Sequence, residues 1–148
     1  FGCGYGKDVE WLNECGFDAV GYDSYEPFGF ASTPKGRFDV VLMVFVVNIL
    51  PSREDRVKAL RRAWEFVERD GDLVVVSRSV KAIEREANKG GWNRLADGYV
   101  SSEAKSTFQK GHDVSDLQAL CAELPDARCR SLAARLDDAS VLVASKQG

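Results

Sequence analysis

The sequence predicts one α/β domain over residues 1–148, with a mostly parallel sheet packed between helices. Two apolar, β-branched runs at 38–47 and 73–76 are typical of strands buried on both faces. Segments with apolar residues at helical spacing alternate with these runs, which is the order of a layered α/β fold. Two further strand-like runs, 129–136 and 140–145, flank an Asp137-Asp138-Ala139 turn and predict a closing antiparallel hairpin.

Composition narrows the class of protein. A chain of 148 residues with 45% hydrophobic content suits a single domain with an ample core. Its net charge of −3 argues against a protein that binds polyanions overall. One histidine and four cysteines without a Cys-x-x-Cys pair predict no metal site and fit reduced thiols in a cytoplasm. No apolar run is long enough to span a membrane, so we expect no membrane partner.

The chain opens on alternating glycines: Gly2, Gly4 and Gly6. An amphipathic helix over 7–15, a turn at Gly16 and a strand over 18–22 are predicted to follow, ending at Asp23. Glycine lets the backbone pass close beneath a ligand, and a helix start adds free N–H groups and a positive dipole end. Asp23 lies about twenty residues beyond the first glycine, where a nucleoside-binding α/β unit places the acceptor for ribose hydroxyls.

The spacing of the glycines distinguishes between nucleoside ligands. A dinucleotide loop requires G-x-G-x-x-G, which fits neither the register from Gly2 nor that from Gly4. The pattern G-x-G-x-G followed by Asp23 resembles motif I and the acidic motif of class I S-adenosylmethionine-dependent methyltransferases. This resemblance implies a Rossmann-like three-layer sandwich and S-adenosylmethionine as cofactor. It also implies a cofactor site made of these residues: Phe1, Gly2, Cys3, Gly4, Gly6, Asp23, Ser24, Val47 and Asn48.

Two features depart from that family. Phe1 lies where the strand before the glycine loop should end, so we expect that first strand to be truncated and the chain to be a piece of a longer protein. The segment 24–37 is rich in proline and glycine and too short for both a helix and a third strand. We expect a loop there, and the residue that contacts adenine is unassigned.

Further elements have local signals. Ser52 and Asp55 form a capping-box pattern at the start of a helix that Asp70-Gly71 is expected to end, with Trp64 in the core. Asn48, at the end of the first apolar run, either faces the ligand crevice or forms a turn before Pro51. Asp113 is expected to start the last helix.

Residues 80–112 are longer than a strand–helix connection needs, so we interpret them as an insert and a candidate substrate lid. A short helix is predicted over 80–87. The remainder mixes aromatic and basic side chains that could stack on and steer a substrate: Trp92, Tyr99, Phe108, Arg94, Lys105 and Lys110. Packing of the aromatics onto the domain is the alternative. Tyr99 or His112 could act as a base, although a lone histidine at a helix start is more often a surface residue.

The resemblance implies methyl transfer to an unidentified N, O or C atom, with no catalytic residue assigned. In-line displacement needs mainly proximity and alignment, so a conspicuous catalytic cluster is not required. The short runs 22–23, 47–49, 97–99 and 107–110 also resemble putative methyltransferases found beside DNA phosphorothioation genes. A non-catalytic interaction domain on the same fold and a nicotinamide-dependent oxidoreductase remain alternatives, and the substrate is undecided between a small molecule and nucleic acid.

Overall fold

The computed structural model describes residues 1–132 and 136–148. Its α-helices are α1 (Lys7–Glu14), α2 (Arg53–Trp64), α3 (Val80–Gly90) and α4 (Val114–Cys121). Its strands are β1 (Phe38–Val44), β2 (Val67–Arg78), β3 (Asn93–Leu95), β4 (Gly98–Ser102), β5 (Thr107–Gln109), β6 (Ala127–Ser131) and β7 (Ala139–Lys146). Short 3₁₀ turns lie at Glu26–Phe28 and Val47–Ile49.

The main sheet has the strand order β1-β2-β7-β6. β1 and β2 pair in parallel, whereas β7 is antiparallel to both of its neighbours. The described residues therefore form a mixed sheet, with one parallel and two antiparallel strand pairs. The predicted strand 18–22 does not form, because this segment meets the glycine loop mainly through the Tyr22 carbonyl, which accepts the N–H groups of Gly2 and Cys3.

The hydrophobic core lies between one face of this sheet and helices α2 and α4. Met43, Leu73, Val75 and Leu142 supply the sheet side and are fully buried. Trp64 is 3% exposed, as predicted, and its indole N–H donates to the Pro125 carbonyl at 3.1 Å.

The boundary between α2 and β2 differs from the prediction. The helix ends at Trp64, and β2 begins at Val67 instead of Leu73. Phe66 and Val67 are buried, and the Phe66 carbonyl accepts the Phe38 N–H at 2.8 Å, so both residues join the sheet. Asp70, with φ of 61°, lies where the β1–β2 register shifts, so Asp70-Gly71 marks a bulge and not a helix end.

β1 is shorter than the predicted strand 38–47. It ends at Val44 because Phe45 adopts a left-handed backbone, with φ of 56°. Its two faces also differ, since Met43 is fully buried whereas Val40 is 52% exposed. Burial on both faces is therefore wrong for this strand. The turn that follows β1 brings Val47 and Asn48 under neighbouring segments, and both are buried.

The insert, residues 80–112, consists of a helix followed by a small sheet. α3 starts at the Ser79 cap and runs to Gly90, three residues beyond the predicted end at Ala87. The chain then forms a three-stranded antiparallel sheet, β3-β4-β5, that the sequence did not predict. α4 begins at Asp113 with a reciprocal capping box to Asp116.

The chain ends on the antiparallel pair β6 and β7, with Ala127 opposite Lys146. Residues 133–135 of the predicted strand 129–136 lie outside the described residues, and β6 itself spans Ala127–Ser131.

Candidate active site

Three alternate residues of the glycine loop have a left-handed backbone, with φ of 71° at Gly2, 54° at Gly4 and 76° at Gly6. A Cβ at Gly2 would lie 2.4 Å from the Val46 Cγ2, and one at Gly6 would lie 2.3 Å from the Phe30 ring. A Cβ at Gly4 would meet nothing within 4 Å. Gly2 and Gly6 are therefore required for close packing of the loop, whereas Gly4 borders open space.

Asp23 holds the loop in this shape. Its Oδ2 accepts the Gly4 N–H at 2.8 Å, and its Oδ1 accepts the Tyr25 N–H at 2.9 Å. Each carboxylate oxygen has a second lone pair, so Asp23 retains acceptor capacity toward the space beside Gly4. Ser24, next to it, is exposed.

The start of the chain joins the loop to β1. The Phe1 amino group donates to the Leu42 carbonyl at 2.7 Å, while the Gly2 N–H donates to the Tyr22 carbonyl at 2.8 Å. Cys3 is half-buried, and burial raises the pKa of its thiol. The loop consequently lies beside the carboxyl end of β1.

Val47 and Asn48 follow the carboxyl end of β1, and their side chains have different surroundings. Val47 is fully buried in the core, so only its backbone is available to a ligand. Asn48 is 2% exposed, and its Nδ2 donates to the Gln109 Oε1 at 3.0 Å. Its Oδ1 is buried without a hydrogen-bond partner within the described residues.

An open groove of about 360 Å³ lies beside Asn48. Its walls come from the ends of β1 and β2, from α3 and from the insert: Phe45, Asn48, Ile49, Arg78, Ile83, Glu86, Trp92 and Gln109. Ligands bind α/β sheets at such carboxyl ends of strands. Trp92, one of the aromatics for which the sequence suggested a substrate contact, is part of the groove wall. Phe45, Arg78, Glu86 and Gln109 were missed, because no local pattern distinguishes them before the groove is assembled. A second groove is lined by residues of α2 together with Glu65 and Glu123, and none of its lining residues comes from the carboxyl end of a strand.

The insert is attached to α2 through a buried cation. Arg56 is 1% exposed and donates two hydrogen bonds to Asp97, at 2.6 and 2.8 Å, and others to the carbonyls of Leu50 and Pro51. The hydrogen bond from Arg56 holds the pKa of Asp97 below its usual range. Phe108 is 6% exposed, with its ring 5.8 Å from the Arg56 guanidinium carbon. The burial of Phe108 beside Arg56 agrees with the alternative that this aromatic packs the insert onto the domain.

His112 is not a surface residue, contrary to the expectation. It is 1% exposed, its backbone N–H donates to the Arg78 carbonyl, and its Nδ1 lies 2.9 Å from the Ser77 Oγ. Burial lowers its pKa to about 4, with Lys110 and Arg56 contributing. His112 therefore lies behind the groove as a neutral side chain. Tyr99 is half-buried on β4 and accepts a hydrogen bond from Arg94 at 3.0 Å.

Comparison with known proteins identifies the family. A family model described as "Methyltransferase domain" matches residues 1–114, which include the glycine loop, Asp23, Asn48 and the insert. The chain belongs to this methyltransferase family. The resemblance inferred from the glycines is confirmed, and neither the oxidoreductase nor the non-catalytic alternative is favoured. A search of the curated proteins found no match.

Solved structures share the methyltransferase fold. They include an S-adenosylmethionine-dependent methyltransferase from Clostridium acetobutylicum ATCC 824, with 9% identity, a TM-score of 0.69, and coverage of 99% of this chain and 82% of the other. The sugar N-methyltransferase KedS8 from Streptoalloteichus sp ATCC 53650 has 15% identity, a TM-score of 0.66, and coverage of 99% and 78%. The plantazolicin methyltransferase BpumL, solved in complex with a monoazolic desmethylPZN analog and SAH, has 12% identity, a TM-score of 0.66, and coverage of 99% and 74%. At these identities the likeness establishes the fold.

Residues 1–132 and 136–148 contain neither a cluster of metal ligands nor a membrane-spanning helix. No three His, Cys, Asp or Glu side chains there come together as metal ligands would. None of the helices described there has the length and apolar character to cross a bilayer.

Proposed function

We propose that this methyltransferase domain binds S-adenosylmethionine between the glycine loop and Asp23 and transfers its methyl group to an acceptor in the groove beside Asn48. The observation that carries the proposal is the open space at Gly4, bordered by the Asp23 carboxylate and by left-handed glycines on both sides. S-adenosylmethionine-dependent enzymes and a complex with SAH among the similar structures support the choice of cofactor.

The residues present fit this cofactor. Side chains at the Gly4 position would enter the open space, so a backbone without Cβ leaves room for the ligand. Asp23 would accept hydrogen bonds from the ribose hydroxyls, and Phe1, Cys3 and Ser24 would border the ligand through their backbones. Bound S-adenosylmethionine supplies an electrophilic methyl group.

The residues of this chain would position the methyl acceptor relative to the cofactor. Gly2 packs on Val46, which fixes the glycine loop against the end of β1, and Asn48 follows directly in the groove wall. This arrangement would hold an acceptor atom close to the methyl group, and alignment of two reactants is a large part of catalysis for such a displacement. We further propose that the insert 80–112 covers the acceptor, with Trp92 facing the groove and Phe108 holding the insert in place.

We also propose that the domain works in the cytoplasm. Cys3, Cys15, Cys121 and Cys129 are free thiols, which supports a reducing cytoplasm.

The test of the cofactor site is calorimetric titration of S-adenosylhomocysteine into the protein and its Asp23→Asn variant. Loss of a charge-assisted hydrogen bond typically weakens affinity roughly ten- to a hundredfold, and we expect a change of that size. Asp18→Asn is the matched control, since it removes the same charge at an exposed position outside the loop. If the Asp23→Asn protein retains full affinity, Asp23 is not a ligand residue. If the unchanged protein does not bind the compound at all, the proposed function is wrong.

A further inference from the structure

We infer that the methyl acceptor is an anionic molecule with a reacting N–H group: Arg78 binds its negative group, and the Asn48 Oδ1 accepts its N–H. Phe45 and Trp92 contact the apolar body between these two ends. The inference rests on the proposed function, because it assigns the substrate class of the same groove.

Asn48 supplies the first observation. The side chain is 98% buried, yet its Oδ1 has no donor within the described residues. Two other polar groups of the residue are engaged, since Nδ2 donates to Gln109 and the backbone carbonyl accepts the Lys110 N–H at 2.8 Å. A buried acceptor without a donor costs about 1–3 kcal/mol, so such an atom at a groove wall indicates a ligand with a donor.

Arg78 supplies the second observation. It lies at the end of β2 in the groove wall, half-buried, and its guanidinium forms no hydrogen bond or ion pair with any side chain or carbonyl of the described residues. Its guanidinium carbon lies 5.9 Å from the Phe45 ring centroid, which holds the group at the groove. The planar fork of an arginine matches a carboxylate or phosphate.

The nearby carboxylates leave Arg78 available. Glu86 is in the groove wall, but its Oε1 lies 3.4 Å from the Arg85 Nε. Asp138 accepts two hydrogen bonds from Arg85, at 2.9 and 3.0 Å. Arg85 therefore binds Asp138 directly and contacts Glu86, whereas Arg78 acts on Asp138 through charge alone and is a basic residue of the groove wall.

The backbone at Phe45 gives independent support for a ligand site. A left-handed backbone at a residue other than glycine costs of order 1–3 kcal/mol and is found most often at functional sites. Here it turns the chain out of β1, and Phe45 is 41% exposed, with its ring beside Arg78. The flat surfaces of Phe45 and Trp92 suit a planar or aromatic body.

The proposed methyl transfer has one nucleophile, the acceptor nitrogen, and one electrophile, the sulfonium methyl group. The nitrogen lone pair forms the new N–C bond as the C–S bond of the sulfonium breaks, and the sulfur leaves as a neutral thioether. The nitrogen then carries an extra proton, which it releases to water in the open groove. Asn48 accepts a hydrogen bond and orients the nitrogen; it does not take the proton.

The experiment uses small probes with the full 148-residue chain, with and without saturating S-adenosylhomocysteine. NMR titration measures the dissociation constants of the 2-, 3- and 4-aminobenzoates, aniline, benzoate, and the N,N-dimethyl form of the best isomer. We expect the best aminobenzoate to bind roughly tenfold or more tightly than aniline, which lacks the carboxylate, and than its dimethyl form, which lacks the N–H.

Variants then assign the two contacts. In Arg78→Gln the advantage of aminobenzoate over aniline should fall to near one, while in the control Arg128→Gln, on the exposed edge strand β6, it should persist. The dimethyl probe tests the Asn48 contact without a mutation in the core. Equal affinity for all probes, an advantage that survives Arg78→Gln, or no probe binding at millimolar concentration would overturn the inference. Because S-adenosylhomocysteine binding is measured in the same samples, failure of the cofactor site would be seen separately.

Discussion

At the scale of single residues, Gly4 and Gly16 share a left-handed backbone and open space where a Cβ would project. Only Gly4 lies beside Asp23, whereas Gly16 is at the other end of α1. We expect Gly4→Ala and Gly16→Ala to lose similar stability, about 1–2 kcal/mol, because an L-residue is disfavoured in this backbone region. Only Gly4→Ala should weaken S-adenosylhomocysteine, because its methyl group enters the ligand space. Chemical denaturation and calorimetry measure the two effects.

Gly2→Ala should behave differently from both. Its Cβ would lie 2.4 Å from the Val46 Cγ2, so the loop or the end of β1 must shift in addition to the backbone strain. Stability should therefore fall further than in Gly4→Ala. Equal stabilities for the three alanine variants would show that the close approach of Gly2 to Val46 does not constrain the loop.

The loop glycines Gly2, Gly4 and Gly6 differ in how much of their role the sequence alone predicts. Their alternation and the distance to Asp23 predicted a nucleoside-binding loop from the sequence, since these are local properties of the chain. That Gly2 and Gly6 serve packing while Gly4 borders open space depends on Val46 and Phe30, which are distant in sequence. Spacing alone cannot supply that distinction.

At the scale of elements, the insert is joined to α2 by the Arg56–Asp97 pair. Removing the partner of a fully buried charge costs about 3–5 kcal/mol, but Asp97 is 48% exposed, so water replaces part of the contact. We expect Asp97→Asn to destabilise the protein by about 1–2 kcal/mol and to speed amide exchange in β3, β4 and β5. Hydrogen exchange followed by mass spectrometry measures the local effect.

Arg85–Asp138 is the matched control for this prediction. It is also a two-bond Arg–Asp pair, but both side chains are about half exposed. Asp138→Asn should change stability little, because water screens such pairs. Similar exchange rates in β3–β5 for Asp97→Asn and the unchanged protein would indicate that Phe108 packing alone holds the insert.

Element boundaries were predictable only where a local signal exists. The starts of α2 and α4 follow from Ser52 and Asp113, whose side chains accept the Asp55 and Asp116 N–H groups. At Ser52 the Asp55 carboxylate accepts a hydrogen bond from the serine hydroxyl, at 2.6 Å. In a reciprocal capping box the carboxylate would instead accept the backbone N–H of Ser52. The end of α2 was misplaced because Phe66 and Val67 suit a helix face and a strand equally well, and contact with β1 decides between them.

At the scale of the whole molecule, the candidate site is assembled from contacts between distant segments. Asn48 meets Gln109 across 61 positions, and Arg56 meets Asp97 across 41. The sequence therefore predicted one wall of the site, the end of β1, but not Arg78, which becomes part of the groove only after β2, α3 and the insert fold around it. The strand order β1-β2-β7-β6 was not predicted for the same reason, because it depends on pairing and not on local pattern.

The folded molecule as a whole should become less stable in mild acid because of its one histidine. His112 is joined to the end of β2 through Ser77 and the Arg78 carbonyl, and burial lowers its pKa from 6.5 to about 4. The unfolded chain therefore binds a proton at a higher pH than the folded one. Stability should be full above about pH 6.5 and fall as the pH drops toward about 4. At about 1.4 kcal/mol for each pH unit, the loss amounts to about 3 kcal/mol.

Urea denaturation between pH 7.5 and 4 measures this slope, and His112→Gln and His112→Asn should both remove it. Both variants lose some stability at pH 7.5, since each alters the contact with Ser77, so the diagnostic quantity is the change with pH and not the absolute value. The carboxyl groups of Asp97 and Asp113, whose pKa values the Arg56 side chain and the Asp116 N–H lower, contribute stability that is lost only at more acidic pH. A slope between pH 6.5 and 4 that persists in both variants would mean that protonation of another group, and not of the buried imidazole, opens the junction between the sheet, the insert and α4.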